Sequence, residues 1–296
     1  LHYPLRRQRQ MCIRDRKGHK VKVFAANAIR LRPSNLQESE FIEGVEVKRF
    51  KIIPVPFYDQ FFYAPKLTSE LVSLQTDIIH VFSWMPSFFI IVPCILAKAR
   101  GIPLVLYPQC HPERSQHYPD IVKRIVGVFM DRILGPIIWR KADCVVALTQ
   151  KEADFYREHD IRRVQVIRPP IFSVIHSRLH PSMFRDRYGL SEDCAVILTV
   201  ARIVKYKGIH ILIHSMKELI DHIPNLKLMV VGQDWGFLAG CIKLSRELGC
   251  QQNVIFTGPL TNEELSVAYE VSDVVVVPSF FEGYGLVVLE AWAHRK

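Results

Sequence analysis

The chain has 296 residues, 49% of them apolar and 23% charged, which is enough for two ordinary domains with their own cores and excludes a disordered chain. Its formal charge is +10, from 39 basic and 29 acidic residues, and half of that lies in the first 17 residues, where Arg6, Arg7, Arg9, Arg14, Arg16 and Lys17 face Asp15 alone. The remainder is mildly basic, which fits an anionic ligand or a membrane surface and argues only weakly for nucleic acid, not expected here as a partner.

The seven cysteines are scattered and lack the close pairs of a zinc or redox site, so they read as reduced thiols of a cytoplasmic protein. Phe88 to Leu96 is the most apolar run, but it falls short of the ~20 residues that cross a bilayer and contains Pro93. The N-terminus is charged without the apolar core of a signal peptide. Leu1 to Arg16 has no periodic pattern, and Met11-Cys12-Ile13-Arg14-Asp15-Arg16 resembles translated sequencing-adapter sequence, so residues 1–16 are expected to be non-native.

From Val21 the chain alternates strand and helix. Strand-length apolar runs occupy Val21 to Ala25, Val45 to Phe50, Asp77 to Phe82, Ile102 to Tyr107, Cys144 to Leu148 and Val164 to Ile167. Helical patterns cover Leu67 to Leu74, Ser87 to Arg100, Ile121 to Lys141 and Gln150 to Glu158, the last opened by Thr149 and Glu152 at capping-box spacing. Such alternation implies an α/β fold with a parallel, Rossmann-like sheet over residues 17–172. No Gly-x-Gly-x-x-Gly follows any of these strands, which argues against a nicotinamide or flavin enzyme.

Pro169, Pro170 and Pro181 mark an extended linker, placed at residues 173–190. A second Rossmann-like unit, residues 191–296, follows. Its strands are Ala195 to Val200, Leu226 to Val231, Val254 to Phe256 and Asp273 to Val277, the last read as buried on both faces. Its helices are Gly208 to Leu219, Phe237 to Leu248, Glu263 to Val271 and Leu286 to His294, with Thr261 and Glu264 as a second capping box.

The most informative stretch is Val274 through Ala291, a strand that runs through Gly283 and Gly285 into a helix. A helix start after the carboxyl end of a strand presents N–H groups to an anion. Glu282 and Glu290 flank that start, and two carboxylates suit a ligand rich in hydroxyl donors, such as a sugar. The same residues also read as a solvated loop glutamate and a surface helix glutamate. Arg202 and Lys207 follow the first strand of the second unit, where open parallel sheets bind ligands, and read otherwise as an ordinary basic loop.

Pro278-Ser279-Phe280-Phe281-Glu282-Gly283-Tyr284-Gly285-Leu286-Val287-Val288-Leu289-Glu290-Ala291 resembles the Glu-x7-Glu signature of retaining GT-B glycosyltransferases, particularly family 4. Ala201 to Gly208 resembles that family's Arg-x4-Lys-Gly segment, and Pro108 to Glu113 its histidine-containing segment. The likeness covers Ala195 to the end well and Lys20 to Pro170 more loosely.

The resemblance implies two Rossmann-like domains and metal-independent transfer from a UDP- or GDP-linked sugar to a hydroxyl acceptor, with no further cofactor. It implies Arg202 and Lys207 on the diphosphate, Glu282 beside the donor sugar, Glu290 on the ribose, backbone phosphate contacts from Gly285, Leu286 and Val287, and the base near Gly258 and Leu260. His111 is expected to approach the acceptor as a catalytic group, and His80 to be packed. Against the family, the first strand with its glycine loop and the last strands are expected to be missing, which would leave little or no transfer. Non-catalytic nucleotide-sugar binding and a phosphorylase-like reaction are the other readings. Phe57, Tyr58, Phe61, Phe62 and Tyr63, and the segment Ile121 to Trp139, read either as contacts to a lipid-linked acceptor at the inner membrane face or as elements packed on the sheet.

Overall fold

The computed structural model describes residues 18–29, 32–42, 44–54, 62–82, 88–108, 121–169 and 179–296. The chain divides into two compact units that meet between Pro169 and Pro170, and each is α/β.

The N-terminal unit holds two principal sheets. In the first, β1 (Lys22–Ala26), β2 (Ser39–Ile42) and β3 (Val45–Phe50) run in the order β1-β3-β2, with β1 parallel and β2 antiparallel to β3. Pure strand–helix alternation therefore does not hold at this end. The pattern of β2 concealed it, because Phe41 is 74% exposed and hydrophobicity there does not report a buried face. The turn after β1 is held by buried Asn27, whose side chain donates to the Leu36 carbonyl at 2.8 Å and accepts from Ser34 and Leu36.

The second sheet is fully parallel. Strands β4 (Ile79–Val81), β5 (Leu104–Leu106), β6 (Cys144–Ala147) and β7 (Val164–Val166) lie in the order β7-β6-β5-β4. The helices of the unit include α1 (Pro65–Ser73), whose Leu67 and Leu71 pack with Phe50 of the first sheet, and α2 (Phe88–Arg100), α3 (Ile121–Phe129), α4 (Gly135–Trp139) and α5 (Gln150–Glu158). Leu104, Leu106, Val145, Ala147, Trp139 and Tyr156 share one core. Thr149 caps α5, accepting from Glu152 N at 3.1 Å, while the Glu152 carboxylate accepts from Leu148 N at 2.6 Å.

The single helix expected over Ile121 to Lys141 is interrupted by a π-helical turn at Met130–Leu134. Pro136 lacks the N–H that would close an α-turn, and a wider turn absorbs the mismatch. Gly135 is required beside it, since a Cβ there would come within 2.6 Å of the Trp139 ring.

In the C-terminal unit, β8 (Ala195–Val200), β9 (Leu226–Val231), β10 (Val254–Gly258) and β11 (Val274–Val275) form a parallel sheet ordered β10-β9-β8-β11. Around it lie α6 (Pro181–Tyr188), α7 (Ile209–Leu219), α8 (Leu238–Glu247), α9 (Asn262–Val271) and α10 (Leu286–Ala293). Strand β9 shows the period of two. Met229 and Val231 enter a core with Phe184, Leu198 and Tyr269, while Leu228 and Val230 enter another with Ile209, Ile213 and Cys241. Each such fully buried side chain contributes roughly 1.5–3 kcal/mol.

Two expectations are corrected here. Pro181 does not extend a linker: it opens α6, where a proline's missing N–H costs no intrahelical bond, and buried Phe184 carries that helix into the core. Val274 to Val277 is not a strand buried on both faces. The strand is confined to Val274–Val275, with Val276 N still donating to the Leu198 carbonyl of β8 at 2.9 Å; among the described residues β8 is its ladder neighbour, and Val274 is 46% exposed.

Both units tie a strand entry in the same way. Asp143, ahead of β6, accepts from Leu104 N at 2.8 Å and donates its own N–H to the Leu104 carbonyl. Asp273, ahead of β11, does the same with Val196, at 2.7 Å. Each aspartate supplies an acceptor near the start of the neighbouring strand, so the N–H of Leu104 or Val196 is not left unpaired.

Candidate functional site

The loops that leave β8, β9 and β10, together with the segment after β11, are stitched to one another by backbone hydrogen bonds. Ala201 N donates to Val231 O, Ile203 N to Gln233 O, Trp235 N back to Ile203 O, and Gly232 N to Gly258 O, all at 2.9–3.0 Å. Phe280 N donates to Tyr206 O at 3.0 Å, which ties the post-β11 segment to the post-β8 loop.

Two glycines make this closeness feasible. A Cβ on Gly208, whose φ is 71°, would lie 2.1 Å from the Pro278 carbonyl oxygen, and one on Gly232 would lie 1.9 Å from that of Ala201. The four loops therefore form one platform at the carboxyl end of the sheet, where open parallel sheets bind ligands.

Lys207 and Glu282 meet on that platform. The Lys207 ammonium pairs with Glu282 Oε1, which also accepts from Ser279 Oγ at 2.7 Å. Arg202 donates to the Tyr206 hydroxyl at 2.5 Å, and its guanidinium lies 4.7 Å from the centre of the Trp235 ring. Gly285 is left-handed at φ 71° and stands at the N-cap of α10, so Leu286 and Val287 contribute first-turn N–H groups that have no acceptor within the helix. Glu290 lies on α10, and its Oε2 accepts from the Tyr269 hydroxyl at 3.0 Å. Gly258 ends β10 in a left-handed conformation, and Leu260 just beyond it is buried.

Sequence reasoning missed two contributors. Asp234 Oδ1 accepts from the N–H groups of Gly236, Phe237 and Leu238 at 2.8–3.1 Å and so closes the start of α8. The signal was an aspartate ahead of a helix in Asp234-Trp235-Gly236. His210, three residues after Lys207, packs between Phe237 and Phe280. Burial, then the nearby Lys205 and His214, lower its pKa.

In the N-terminal unit, His80 stacks with Phe82 and Tyr107 at 4.1 and 6.2 Å between ring centres. His111 and the aromatic residues Phe57, Tyr58 and Phe61 lie outside the described residues. Among the described residues, no cluster of three His, Cys, Asp or Glu could hold a metal ion, and no helix is long and apolar enough to cross a membrane.

Residues 183–296 match the glycosyl transferases group 1 family, and residues 7–170 match the glycosyl transferase 4-like domain, which alone spans more than half of the chain. The chain belongs to the glycosyl transferase 4-like family. An uncharacterized glycosyltransferase of Methanocaldococcus jannaschii is 29% identical to this glycosyl transferase over 94% of the chain and 70% of the relative. A D-inositol 3-phosphate glycosyltransferase of Streptomyces bingchenggensis is 30% identical over 59% of the chain, and the match spans only 40% of that relative.

Among solved structures, WaaG, a glycosyltransferase of lipopolysaccharide biosynthesis, superposes with a TM-score of 0.71 at 19% identity, covering 98% of this chain and 74% of its own. Anabaena HepE in complex with UDP-glucose superposes with a TM-score of 0.64 at 20% identity, covering 86% and 66%. These likenesses establish the GT-B fold for the chain: two α/β domains with parallel sheets.

Proposed function

We propose that the chain is that of a retaining, metal-independent glycosyltransferase that uses a nucleotide-diphosphate sugar, with its donor-binding groups in the C-terminal unit. The observation that carries this reading is the pairing of Lys207 with Glu282 next to the Gly285-led helix start. A cation, a carboxylate and a ring of N–H donors on one platform suit a ligand that is at once anionic and rich in hydroxyl groups.

In this reading Arg202, Lys207 and the N–H groups of Leu286 and Val287 hold the diphosphate. Positive groups fixed where charge develops stabilise the departing phosphate, which is the task a metal performs elsewhere. Glu282 accepts from a donor-sugar hydroxyl, Glu290 from the ribose, and the turn at Gly258 and Leu260 receives the base.

Retention follows from front-face displacement. The bond from the anomeric carbon to phosphate oxygen breaks, the acceptor oxygen bonds on the same face, and the acceptor proton passes to the departing phosphate. His111 is the candidate for orienting the acceptor hydroxyl. HepE has been crystallised with UDP-glucose, so UDP-glucose is the first donor to try. Isothermal calorimetry with UDP, GDP and UDP-glucose tests the proposal. Binding that is lost in a folded Lys207→Ala variant supports it, and unchanged affinity removes the diphosphate assignment.

A second observation bears on the acceptor. Ile121, Val122, Ile125, Phe129, Ile133 and Ile137 are each 50–64% exposed, and Arg124 and Arg132 are exposed along the same segment. In a plain α-helix, residues spaced by four wind gradually around the axis. The π-helical turn at Met130–Leu134 holds back that rotation, so Ile133 and Ile137 stay in line with Ile125 and Phe129. An apolar stripe with basic residues fits an anionic lipid surface, where a lipid-linked hydroxyl acceptor would be presented.

A further inference from the structure

Glu290 is held by a closed set of contacts that its role as a ribose acceptor does not require. Tyr269, buried on α9, donates its hydroxyl to Glu290 Oε2 at 3.0 Å. The Tyr269 ring stacks on His294, with centres 4.8 Å apart and planes 23° apart. His294 Nδ1 lies 2.8 Å from the Glu290 carbonyl oxygen, and its Nε2 lies 2.9 Å from Ser266 Oγ.

A carbonyl can only accept, so Nδ1 carries the proton. In neutral His294, Nε2 therefore accepts from the Ser266 hydroxyl. The contacts run from the Glu290 main chain through His294 to Tyr269 and back to the Glu290 side chain. Ser266 and Tyr269 both belong to α9, which is itself closed at its start by the Thr261–Glu264 capping box.

We propose that Tyr269 is the positioning residue for nucleotide recognition: its hydroxyl fixes the Glu290 carboxylate toward the ribose hydroxyls, with His294 and Ser266 fixing Tyr269. The inference rests on Glu290 binding the ribose. A glutamate on a helix surface has three rotatable bonds and loses that freedom when a ligand orders it. Here α9 supplies the order in advance, so the ligand meets a preset acceptor.

Packing alone does not account for the arrangement. A phenylalanine would fill the same volume and stack as well on His294, but it would not donate to the Glu290 carboxylate. A purely structural tyrosine would influence every nucleotide equally. A positioning tyrosine influences only those with ribose hydroxyls.

The test is calorimetry of the 296-residue chain with UDP and with 2′,3′-dideoxy-UDP, in wild type, Glu290→Ala, Tyr269→Phe and the double variant, each checked for a native thermal transition. Wild type is expected to prefer UDP, Glu290→Ala to lose that preference, and Tyr269→Phe to lower it about three- to tenfold, the value of one hydrogen bond. Tyr269→Phe should leave dideoxy-UDP affinity unchanged and add nothing in the Glu290→Ala background. His294→Phe keeps a stacked ring but drops both hydrogen bonds, and is expected to lower the same preference by a smaller factor. It carries the test if Tyr269→Phe does not fold.

If wild type has no preference for UDP, or Glu290→Ala keeps it, the ribose reading of Glu290 fails and takes the proposal with it. If Glu290→Ala behaves as expected but Tyr269→Phe keeps the full preference, or weakens both nucleotides alike, the Tyr269 proposal alone is overturned.

Discussion

Lys207 and Glu282, 75 residues apart in the chain, form an ion pair at the carboxyl end of the C-terminal sheet. The lysine side chain is mostly covered and the glutamate about one-third exposed. Without ligand each is therefore the other's main charge partner, and a bound diphosphate would compete with Glu282 for the lysine.

Lys207→Ala is expected to weaken UDP or GDP by about 1.5–3 kcal/mol, the value of a hydrogen bond to a charged group. Glu282→Ala should leave bare nucleotide as tight or slightly tighter, because the lysine is released, while UDP-glucose loses affinity. Parallel titrations of both variants with both ligands separate the two roles. Equal weakening of nucleotide and nucleotide sugar by Glu282→Ala would show that Glu282 does not serve the sugar.

Gly208→Ala is expected to unseat the loop that presents Lys207. The left-handed backbone alone costs an alanine about 1–2 kcal/mol, and the new methyl would lie 2.1 Å from the Pro278 carbonyl oxygen, so the two loops must part. A lower thermal midpoint together with lost nucleotide binding is the expected pair of results. Binding retained at wild-type strength would mean that the junction of the loops is not what places the lysine.

Glu152 makes the stability of the N-terminal unit depend on pH. Burial pushes its pKa from 4.5 up to about 7, against the hydrogen bond from Leu148 N that pulls it down. The folded state thus holds this proton more firmly than the unfolded chain does. Its stabilising contribution is complete below pH 4.5 and is lost as pH rises through about 7, a change on the order of 3 kcal/mol. Glu152→Gln should flatten urea-melt stability between pH 5 and 8 and raise it at pH 8. An unchanged slope would place the titration elsewhere.

The exposed stripe on α3 and the turn that follows it is expected to bind anionic lipid. Co-sedimentation with phosphatidylglycerol-containing vesicles should exceed that with phosphatidylcholine alone and fall with salt. Ile125→Asp with Ile133→Asp should abolish it at little cost to folding, since both side chains already face water. Equal sedimentation with both vesicle types, or none, would remove the lipid-surface reading.

Much of this molecule was legible from local pattern. Runs such as Leu226 to Val231 and the spacing Thr261-x-x-Glu264 are determined by neighbours in the chain, and both appear where periodicity and capping chemistry put them. Gly285 followed by eight residues of which seven are apolar likewise announced a turn into a helix. The same logic failed where a residue's environment comes from afar. Nothing near Val274 reveals that its strand lies at the sheet edge, and nothing near Phe41 that its ring faces outward. Pro181 read as a connector until Phe184 was found in a core contributed by four other elements.

The candidate site divides along the same line. Residue types and spacing offered Arg202, Lys207, Glu282 and Glu290 as candidates beside a solvated-surface reading, and the resemblance of their local motifs to a family signature selected them. That Lys207 reaches Glu282, that Gly208 must lack a side chain because of Pro278, and that Tyr269 steadies Glu290 were decided by the tertiary structure alone. Each is a contact between loops or helices brought together only when parallel strands order themselves β10-β9-β8-β11, an order different from that of the chain. Local periodicity says which residues form a strand, but the neighbour a strand chooses depends on packing summed over the whole sheet, and no window of sequence contains that sum.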